Sequence, residues 1–319
     1  MIQIYIDAEF DAVRYKQHFE QAVISMGAVI CIDGKEVDQF YRLVKPTYFK
    51  RLSKVVKKMT HLCNEDIMEA EPLEIVSEEF KVWLMHFGNI EQMYFYSCGP
   101  DDRRTLLKNC EIHHIDGTIF DRIIDLQKLI SAGVFYEGKL VSSTLSLDDM
   151  KLIYDVFGLV EHNALTDAVD LMQIHQRFLK GNHQNQEQIK AIVERKERKA
   201  LLSKQKQKER LKMMMHKLFS NYSKDFIMIT LTPEVIKQFQ LWENKEKESY
   251  MHWKRSACSD ETTSYNYAHL NVFIKINLDA DLPEVGIRFL YHGFDMVRTY
   301  PLNYRNASYV ENILKMGAV

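Results

Sequence analysis

The segment that most restricts how this chain can fold is its beginning, MIQIYIDAEFD, where an apolar run meets a group of carboxylates. Residues 2–6 predict a strand of a buried sheet, and Asp7, Glu9 and Asp11 follow them. Residues two apart in a strand point to the same face, so Asp7 and Glu9 present their carboxylates side by side. Buried carboxylates are costly unless a cation or hydrogen bonds compensate them. The pattern therefore indicates either a metal site or a solvated strand end.

Composition excludes several classes of protein. The 319 residues predict about two domains. A formal net charge of −2 gives the whole chain no basic character, so a nucleic-acid partner would have to be recognised by local charge. Five scattered cysteines without a C-x-x-C pair argue against a disulfide framework and a thiolate zinc site. Neither a signal peptide nor an apolar run long enough to span a bilayer is found, so we expect a cytoplasmic protein without membrane association.

The first half of the chain alternates strand and helix patterns. Predicted strands cover residues 2–6, 22–32, 37–44, 93–97 and part of 115–126, with Asp33-Gly34 as a hairpin turn. Predicted helices cover residues 61–68, 73–87, 102–110, 146–157 and 163–179, with Ser146 as a helix cap and Gly158 as a stop. Three antiparallel strands, followed by two that alternate with helices, suit a ribonuclease-H-like mixed sheet of five strands flanked by helices. The order is also compatible with other α/β folds.

A basic helix follows this half. Between Lys190 and Lys217 the chain has eleven Lys or Arg against three Glu, a local net charge of +8. The run lacks Gly and Pro and is rich in helix formers. It is either a solvated connector or an arm that contacts a nucleic-acid backbone.

The last part of the chain predicts a small α+β domain of unknown function. Strands are expected at residues 226–231, 270–278 and 285–294, and helices from Thr232-Pro233 to about Trp253 and over 307–317. The predicted domains are therefore 1–182, a basic helical linker at 183–223, and 224–319.

Two further segments add candidates for a metal site. In SCGPDDRRTL, Asp101 and Asp102 open a helix, where the helix dipole accounts for one acidic residue but does not require two. In HNALTDA, Asp167 lies within a predicted helix near its apolar face, and His162 precedes it by five residues. Four carboxylates can neutralise two divalent cations that bind a phosphodiester, and a histidine can take a proton from the attacking water.

These blocks resemble the DEDDh family of 3′–5′ exonucleases, which includes proofreading exonucleases, ribonuclease T and oligoribonuclease. YIDAEFD matches the hhhDxE strand of the family, SMGAV its second strand, SCGPDDRRTL its middle block and HNALTDA its third block. MTHLCNEDI also resembles the segment of the family that contacts the terminal nucleotides. The similarity covers about residues 1–180, with the blocks in the expected order.

The resemblance implies a role for each matching residue. The implied ligands of two divalent cations, Mg²⁺ or Mn²⁺, are Asp7, Glu9, Asp102 and Asp167. His162 is the implied general base, and Phe10 and Leu62 are implied to position the 3′-terminal base. The spacing from Gly99 favours Asp102 as the middle ligand, but the doubled aspartate leaves Asp101 as an alternative.

The implied function is hydrolysis of terminal phosphodiesters in single-stranded DNA or RNA, or in 3′ overhangs, to nucleoside 5′-monophosphates. Helix 190–217 would then grip the nucleic acid. The alternative is a catalytically inactive nuclease fold that serves as a nucleic-acid-binding or scaffold protein, against which the presence of all five residues argues. The sequence does not distinguish DNA from RNA and does not indicate an oligomeric state.

Overall fold

A computed structural model describes residues 1–15, 18–158, 162–181, 184–222, 225–246, 270–291 and 294–318. Its contacts divide the chain into two compact units, Met1–Lys196 and Glu197–Val319, called here the N-terminal and the C-terminal unit. The boundaries predicted at 182/183 and 223/224 fall on residues outside the described ranges, and that partition stays a prediction. Within the described residues, no helix is both long enough and apolar enough to cross a bilayer.

The N-terminal unit is built on a mixed five-stranded sheet, as predicted. Its strands are β1 (Ile2–Tyr15), β2 (His18–Ile32), β3 (Lys35–Leu43), β4 (Met93–Ser97) and β5 (Ile123–Asp125). They lie in the order β3-β2-β1-β4-β5, in which β1 is antiparallel to β2 and parallel to β4. The turn between β2 and β3 is at Asp33 and Gly34, both with positive φ, as the hairpin signal predicts.

Helices cover both faces of this sheet. They are α1 (Lys54–Thr60), α2 (Asn64–Met68), α3 (Leu73–Met85), α4 (Asp101–His113), α5 (Thr118–Asp121), α6 (Leu126–Ser131), α7 (Leu147–Ile153) and α8 (Ala164–Leu179). Two short strands, β6 (Phe135–Tyr136) and β7 (Lys139–Leu140), form a separate hairpin. Ile4 and Ile6 pack with α3 and α4 in one apolar core, whereas Tyr5 packs with α6, α7 and α8 in another. Alternation along β1 therefore directs odd-numbered residues towards α8.

Three predicted boundaries in this unit are wrong. β1 does not end at residue 6 but continues to Tyr15, because its acidic residues alternate with Ala8, Phe10 and other apolar residues that pack on the opposite face. The predicted helix 61–68 begins only at Asn64, as α2, because His61 has a left-handed φ of 60° and ends the preceding α1. The helix capped by Ser146 ends at Ile153 rather than before Gly158.

The hairpin of β1 and β2 contains one irregularity. Glu9 pairs with Ser25, but the next residue, Phe10, pairs with Val23. Ile24 is thus an extra residue in β2, which defines a β-bulge. Ile24 is fully buried in a small apolar cluster with Leu52 and Ile67.

The C-terminal unit contains an antiparallel sheet with two helices. Helix α9 (Gln186–Phe219) enters it, and β8 (Ile227–Ile229), α10 (Pro233–Glu246), β9 (Leu270–Asn277), β10 (Glu284–Tyr291), β11 (Phe294–Pro301) and α11 (Ala307–Gly317) follow. The strand order is β11-β10-β9-β8. Its core includes Trp242, Phe219, Ile274 and Ile313, all completely buried.

Three expectations for this part of the chain can be compared with the structure. β11 was not predicted; the sequence suggested one strand over 285–294, whereas β10 ends at Tyr291 and β11 begins at Phe294. The predicted extension of α10 to Trp253 lies outside the described residues. The basic helix expected over 190–217 is the central part of α9.

Candidate active site

The first two carboxylates lie where β1 extends beyond its parallel neighbour. The pairing of β1 with β4 ends at Tyr5 and Tyr96, so Asp7 and Glu9 project past the end of β4. On the other side, Asp7 pairs with Gly27 and Glu9 with Ser25 of β2. Both side chains stay on the α8 side of the sheet, as the period of two predicts. Asp7 and Glu9 therefore lie in the interior of a long strand and not at a solvated strand end.

The middle block supplies one buried and one exposed carboxylate. A turn after β4, in which Gly99 has a φ of 105°, leads directly into α4. Asp102 is 6% exposed, and its Oδ1 accepts a hydrogen bond from the Ala8 amide at 3.3 Å. Asp101 instead points outward and forms an ion pair with Arg104 at 2.7 Å, with its side chain 73% exposed. Of the two alternatives, only Asp102 joins the group around Asp7.

The third block enters through the first turns of α8. Asn163 caps this helix through its Oδ1, which accepts hydrogen bonds from the amides of Leu165 and Thr166 at 3.0 and 3.3 Å. Asp167 follows one turn later and is 8% exposed. His162 precedes the cap with a left-handed φ of 43°. Ligand atoms of Glu9, His162 and Asp167 lie within 4.8 Å of one another.

A glycine allows α8 to approach the sheet this closely. A β-carbon built on Gly27 would lie 2.2 Å from the Leu165 amide nitrogen and 2.3 Å from the Ala164 carbonyl carbon. Those atoms belong to the backbone and cannot rotate away, so any larger residue would push the first turn of α8 outward. Gly27 pairs with Asp7 in the sheet, and Asp167 lies in the turn that it admits. The distance between Asp7 on β1 and Asp167 on α8 therefore depends on a glycine at position 27.

Burial raises the pKa of all four carboxyl groups of the cluster, and charged neighbours modify the shift. Burial raises the pKa of Asp7 well above its ordinary value, and the nearby Asp102, Asp167 and Glu9 raise it further. Burial, with Asp167 as a neighbour, raises the pKa of Glu9 to about 7. Burial also raises the pKa of Asp102 to about 8, against the lowering effect of the Ala8 amide. For Asp167 the value is about 6, mainly from burial, with His162 acting in the opposite direction.

These properties fit a site for hard divalent cations. Asp167 Oδ1 is buried and has no hydrogen-bond partner among the described residues. Burial is the main cause of the raised pKa values, and the neighbouring carboxylates add to it at Asp7 and Glu9. Carboxylate oxygens are the ligands that Mg²⁺ and Mn²⁺ prefer. The donor set and its electrostatics therefore suit such ions, and Glu9, His162 and Asp167 are already within reach of one ion.

Behind Asp167 lies a buried ion pair that the sequence did not reveal. Lys151 of α7 and Asp170 of α8 are 3% and 4% exposed and bonded to each other. Lys151 also lowers the pKa of Asp167, and a β-carbon built on Gly158 would lie 3.7 Å from its Nζ. The pair joins α7 and α8 and lies close to Gly158. Nothing in the spacing of these residues indicates the contact, because it depends on how two helices pack.

The remaining predicted residues, Asp11, Phe10 and Leu62, contact parts of the backbone and the apolar core. Asp11, whose role the sequence left open, accepts hydrogen bonds from the amides of Ala12 and Ser53 at 2.8 and 2.6 Å. Phe10 is half-buried against the apolar core below the sheet. Leu62 packs on the small cluster that contains Ile24. Their assignment to nucleotide binding stays a prediction.

Comparison with known proteins identifies the class. The model of the exonuclease family RNase_T matches residues 4–175, more than half of the chain, and the chain belongs to this family. The family predicted from the sequence motifs is thereby confirmed, together with the ribonuclease-H-like fold.

Individual relatives are more distant. The 3′-5′ exonuclease crn-4 of Caenorhabditis elegans is 26% identical over 152 residues, which are 46% of this chain and 50% of crn-4. The PolC-type DNA polymerase III of Staphylococcus saprophyticus is 36% identical over 62 residues, 19% of this chain and 4% of the polymerase. The matches thus span half or less of the length of these curated relatives.

Solved structures of nucleases are also similar. The crystal structure of cell-death related nuclease 4 (CRN-4) gives a TM-score of 0.47 at 22% identity, covering 56% of this chain and 64% of that one. The nuclease domain of 3′hExo, described as a DEDDh family member bound to rAMP, gives 0.46 at 18% identity, covering 58% and 96%.

Proposed function

We propose that this protein is a 3′–5′ exonuclease that hydrolyses terminal phosphodiester bonds and releases nucleoside 5′-monophosphates. The observation that supports this most directly is the convergence of Asp7, Glu9, Asp102 and Asp167 with His162, from three distant segments of the chain. Membership of the exonuclease family makes phosphodiester hydrolysis the chemistry that such a cluster would serve. The substrate is single-stranded DNA or RNA, or a 3′ overhang.

The four carboxylates would hold two divalent cations, Mg²⁺ or Mn²⁺. When bound, these cations supply positive charge to the scissile phosphate and balance the buried carboxylates. The raised pKa values of Glu9, Asp102 and Asp167 favour this role, since a cation that binds the ionised groups removes the cost of their burial.

The residues of the chain supply orientation and proton transfer. His162 accepts the proton of the attacking water through its ring nitrogen, which lies within reach of Glu9 and Asp167. His162 directly precedes Asn163, the N-cap of α8, and its backbone is left-handed. This backbone conformation sets the position from which the imidazole ring extends. Phe10 and Leu62 position the 3′-terminal base, which must enter unpaired for the bond behind it to reach the carboxylates. The exposed basic side chains of α9 hold more distant phosphates.

The matched pair Asp101 and Asp102 provides the sharpest test. The assay follows a 3′-labelled and a 5′-labelled single-stranded oligonucleotide with Mg²⁺ or Mn²⁺, alongside substrates with a blocked 3′ or 5′ end. We expect Asp102→Asn to lower the rate by about a thousandfold, and Asp101→Asn, one residue away and exposed, to leave it within about twofold.

A blocked 3′ end should stop digestion, and a blocked 5′ end should not. His162→Ala should also lower kcat strongly while divalent cations still bind, as measured by calorimetry. Absence of digestion by the wild-type protein with either ion would contradict the proposal and favour the inactive scaffold. Equal rates for Asp102→Asn and Asp101→Asn would contradict the assignment of the site.

A further inference from the structure

A second basic region lies within the exonuclease domain itself. Residues 45–63, KPTYFKRLSKVVKKMTHLC, contain six Lys or Arg and no Asp or Glu, in a chain whose formal net charge is −2. The part from 50 to 58, called here the basic ledge, includes the first five residues of α1. Lys54, Lys57 and Lys58 are spaced i, i+3 and i+4 and so lie along one side of that helix. None of these three lysines forms an ion pair within the part of the chain that the structure describes.

The backbone of the ledge is fixed although its basic side chains are exposed, or in the case of Lys57 partly exposed. Leu52 is 3% exposed and packs with Ile24 and Ile67. Its amide donates to Asn64 Oδ1 at 2.9 Å, and Ser53 caps α1 by accepting from the Val56 amide. An ordered array of cations loses less entropy on binding a ligand than a flexible one does.

The ledge begins beside the carboxylate cluster. Asp11 accepts the Ser53 amide at 2.6 Å, and Asp11 follows Glu9 by two residues on β1. Two residues of a strand span about 7 Å. At its other end the ledge leads into Leu62, which packs on the same apolar cluster as Leu52. The array of cations therefore starts about one nucleotide length from the cluster.

We infer that the basic ledge binds the phosphates of single-stranded nucleic acid on the 5′ side of the terminal nucleotide. This inference rests on the proposed exonuclease function. A polyanion that enters a cluster of four carboxylates meets repulsion, and cations fixed beside the entrance offset it. Lysines bind phosphates as point charges and read no bases, so the ledge confers affinity for length and charge rather than for sequence.

The ledge differs in this respect from the basic helix α9. There, Arg195 and Lys196 form ion pairs with the buried Asp149, and Lys208 forms one with Asp281. Part of the positive charge of α9 is thus already neutralised within the protein. The lysines of α1 form no ion pair among the described residues, although Lys57 is near enough to Glu65 to lower the pKa of that carboxyl group. They lie in the unit that carries the cluster.

The test compares two triple variants of the full-length protein with the same change in charge. One is Lys54→Gln/Lys57→Gln/Lys58→Gln. The control is Lys128→Gln/Lys139→Gln/Lys180→Gln, whose lysines are exposed in the same unit and form no ion pair among the described residues. The substrates are a fluorescent 20-nucleotide single strand and a dinucleotide, which has no phosphate upstream of the scissile bond.

For the 20-mer, we expect the ledge variant to bind at least tenfold more weakly and to have a correspondingly higher KM, with kcat unchanged. The slope of log K against log salt should decrease by about 2, from about 0.7 for each of three phosphates. Hydrolysis of the dinucleotide should not change, and the control variant should match the wild type throughout. A third variant with arginine at positions 54, 57 and 58 should keep the affinity.

Unchanged affinity and salt slope for the 20-mer would overturn the inference, and so would an equal loss on the dinucleotide. Loss of binding to phosphatidylserine vesicles but not to the oligonucleotide would overturn it in favour of a membrane surface. The binding measurement does not depend on turnover. If the wild type binds but hydrolyses nothing, the exonuclease proposal fails while the comparison of the variants still decides the role of the ledge.

Discussion

The two units of this chain differ in what they bury. Among the described residues, every polar or charged side chain that is classed as buried lies in the N-terminal unit, with the exception of Asn306. Every non-glycine residue with a positive φ in the described ranges lies there too. The C-terminal unit instead has a continuous apolar core under a regular antiparallel sheet.

The N-terminal unit thus contains the features that lower stability. Buried carboxylates and left-handed residues each cost free energy, and they persist only when the surrounding structure fixes them. Such features concentrate at sites that bind or react. The C-terminal unit has no buried carboxylate and no left-handed non-glycine residue among its described residues. We therefore expect substitutions there to change stability only through the packing of its apolar core. Matched changes in the two units test this contrast.

The largest expected effect is at the buried ion pair. Lys151→Met should lower the free energy of unfolding by about 3 to 5 kcal/mol, because it leaves Asp170 as an uncompensated buried charge. The equivalent change in the C-terminal unit, Arg288→Met, removes the solvent-screened pair with Asp295 and should cost much less. Urea unfolding measures both, and the double variant Lys151→Met/Asp170→Leu should recover much of the loss. An equal loss in the free energy of unfolding for Lys151→Met and Arg288→Met would contradict the difference between the two units.

The next effect concerns two glycines in central strands. Gly27→Ala should cost about 3 kcal/mol and lower activity strongly, because the new methyl group meets the backbone of α8. Gly286→Ala in β10 has its nearest neighbour at 3.8 Å and should stabilise its strand by about 0.5 kcal/mol. Thermal unfolding and cation affinity of both variants check this. Normal cation affinity in Gly27→Ala would show that α8 does not set the geometry of the cluster.

The third effect is a dependence of stability on pH in the metal-free protein. The pKa values of Glu9, Asp102 and Asp167 are raised to about 7, 8 and 6, so the folded state holds these protons more tightly than the unfolded chain does. Their contribution to stability is complete below about pH 4 and is lost as the pH rises through 6 to 8, at up to about 1.4 kcal/mol per proton and pH unit.

Unfolding in urea at pH 6, 7 and 8, with EDTA or with saturating Mg²⁺, measures this dependence. Mg²⁺ should abolish the loss of stability, and Asp102→Asn should reduce it in the metal-free protein. A slope that is the same with and without Mg²⁺ would argue against cation binding by these carboxylates.

The smallest effect is at His61, the residue that ends α1. Its φ of 60° favours glycine, so His61→Gly should raise the free energy of unfolding by about 0.5 to 1 kcal/mol. Val297→Gly, at an exposed position of β11 with extended backbone, should instead destabilise by a similar amount. Differential scanning calorimetry resolves changes of this size. A destabilised His61→Gly protein would indicate that the imidazole makes a contact worth more than the backbone strain.

Much of the fold was accessible from local patterns. The strand at 93–97 and the helix at 307–317 were predicted at their observed limits, because an apolar run and a clear amphipathic period end there. The end of β1 was misjudged because carboxylates were taken to stop the strand. In fact they occupy alternate positions on one face of it, which is compatible with a strand when that face lines a site.

The residues of the candidate cluster were predictable because each lies in a short local motif. The residues that hold them in place, such as Lys151, Asp170 and Gly27, were not. The spacing from Gly99 favours Asp102, but the doubled aspartate leaves Asp101 open until the structure shows which of them faces Asp7. The pair of Lys151 with Asp170 and the contact of Gly27 with α8 depend on the distance between packed elements. Spacing along a sequence carries no information on such distances.

The extra residue in β2 has a consequence for how such a domain can diversify. Because Ile24 interrupts the register just beyond Glu9, the outer part of the hairpin, residues 10–15 and 18–23, pairs in a different register from the part that presents Asp7 and Glu9. Insertions or deletions in the outer arm can therefore alter its reach without rotating the inner carboxylates to the wrong face. Descendants of one ancestral nuclease could in this way acquire arms of different length for differently shaped substrates while their chemistry stayed the same.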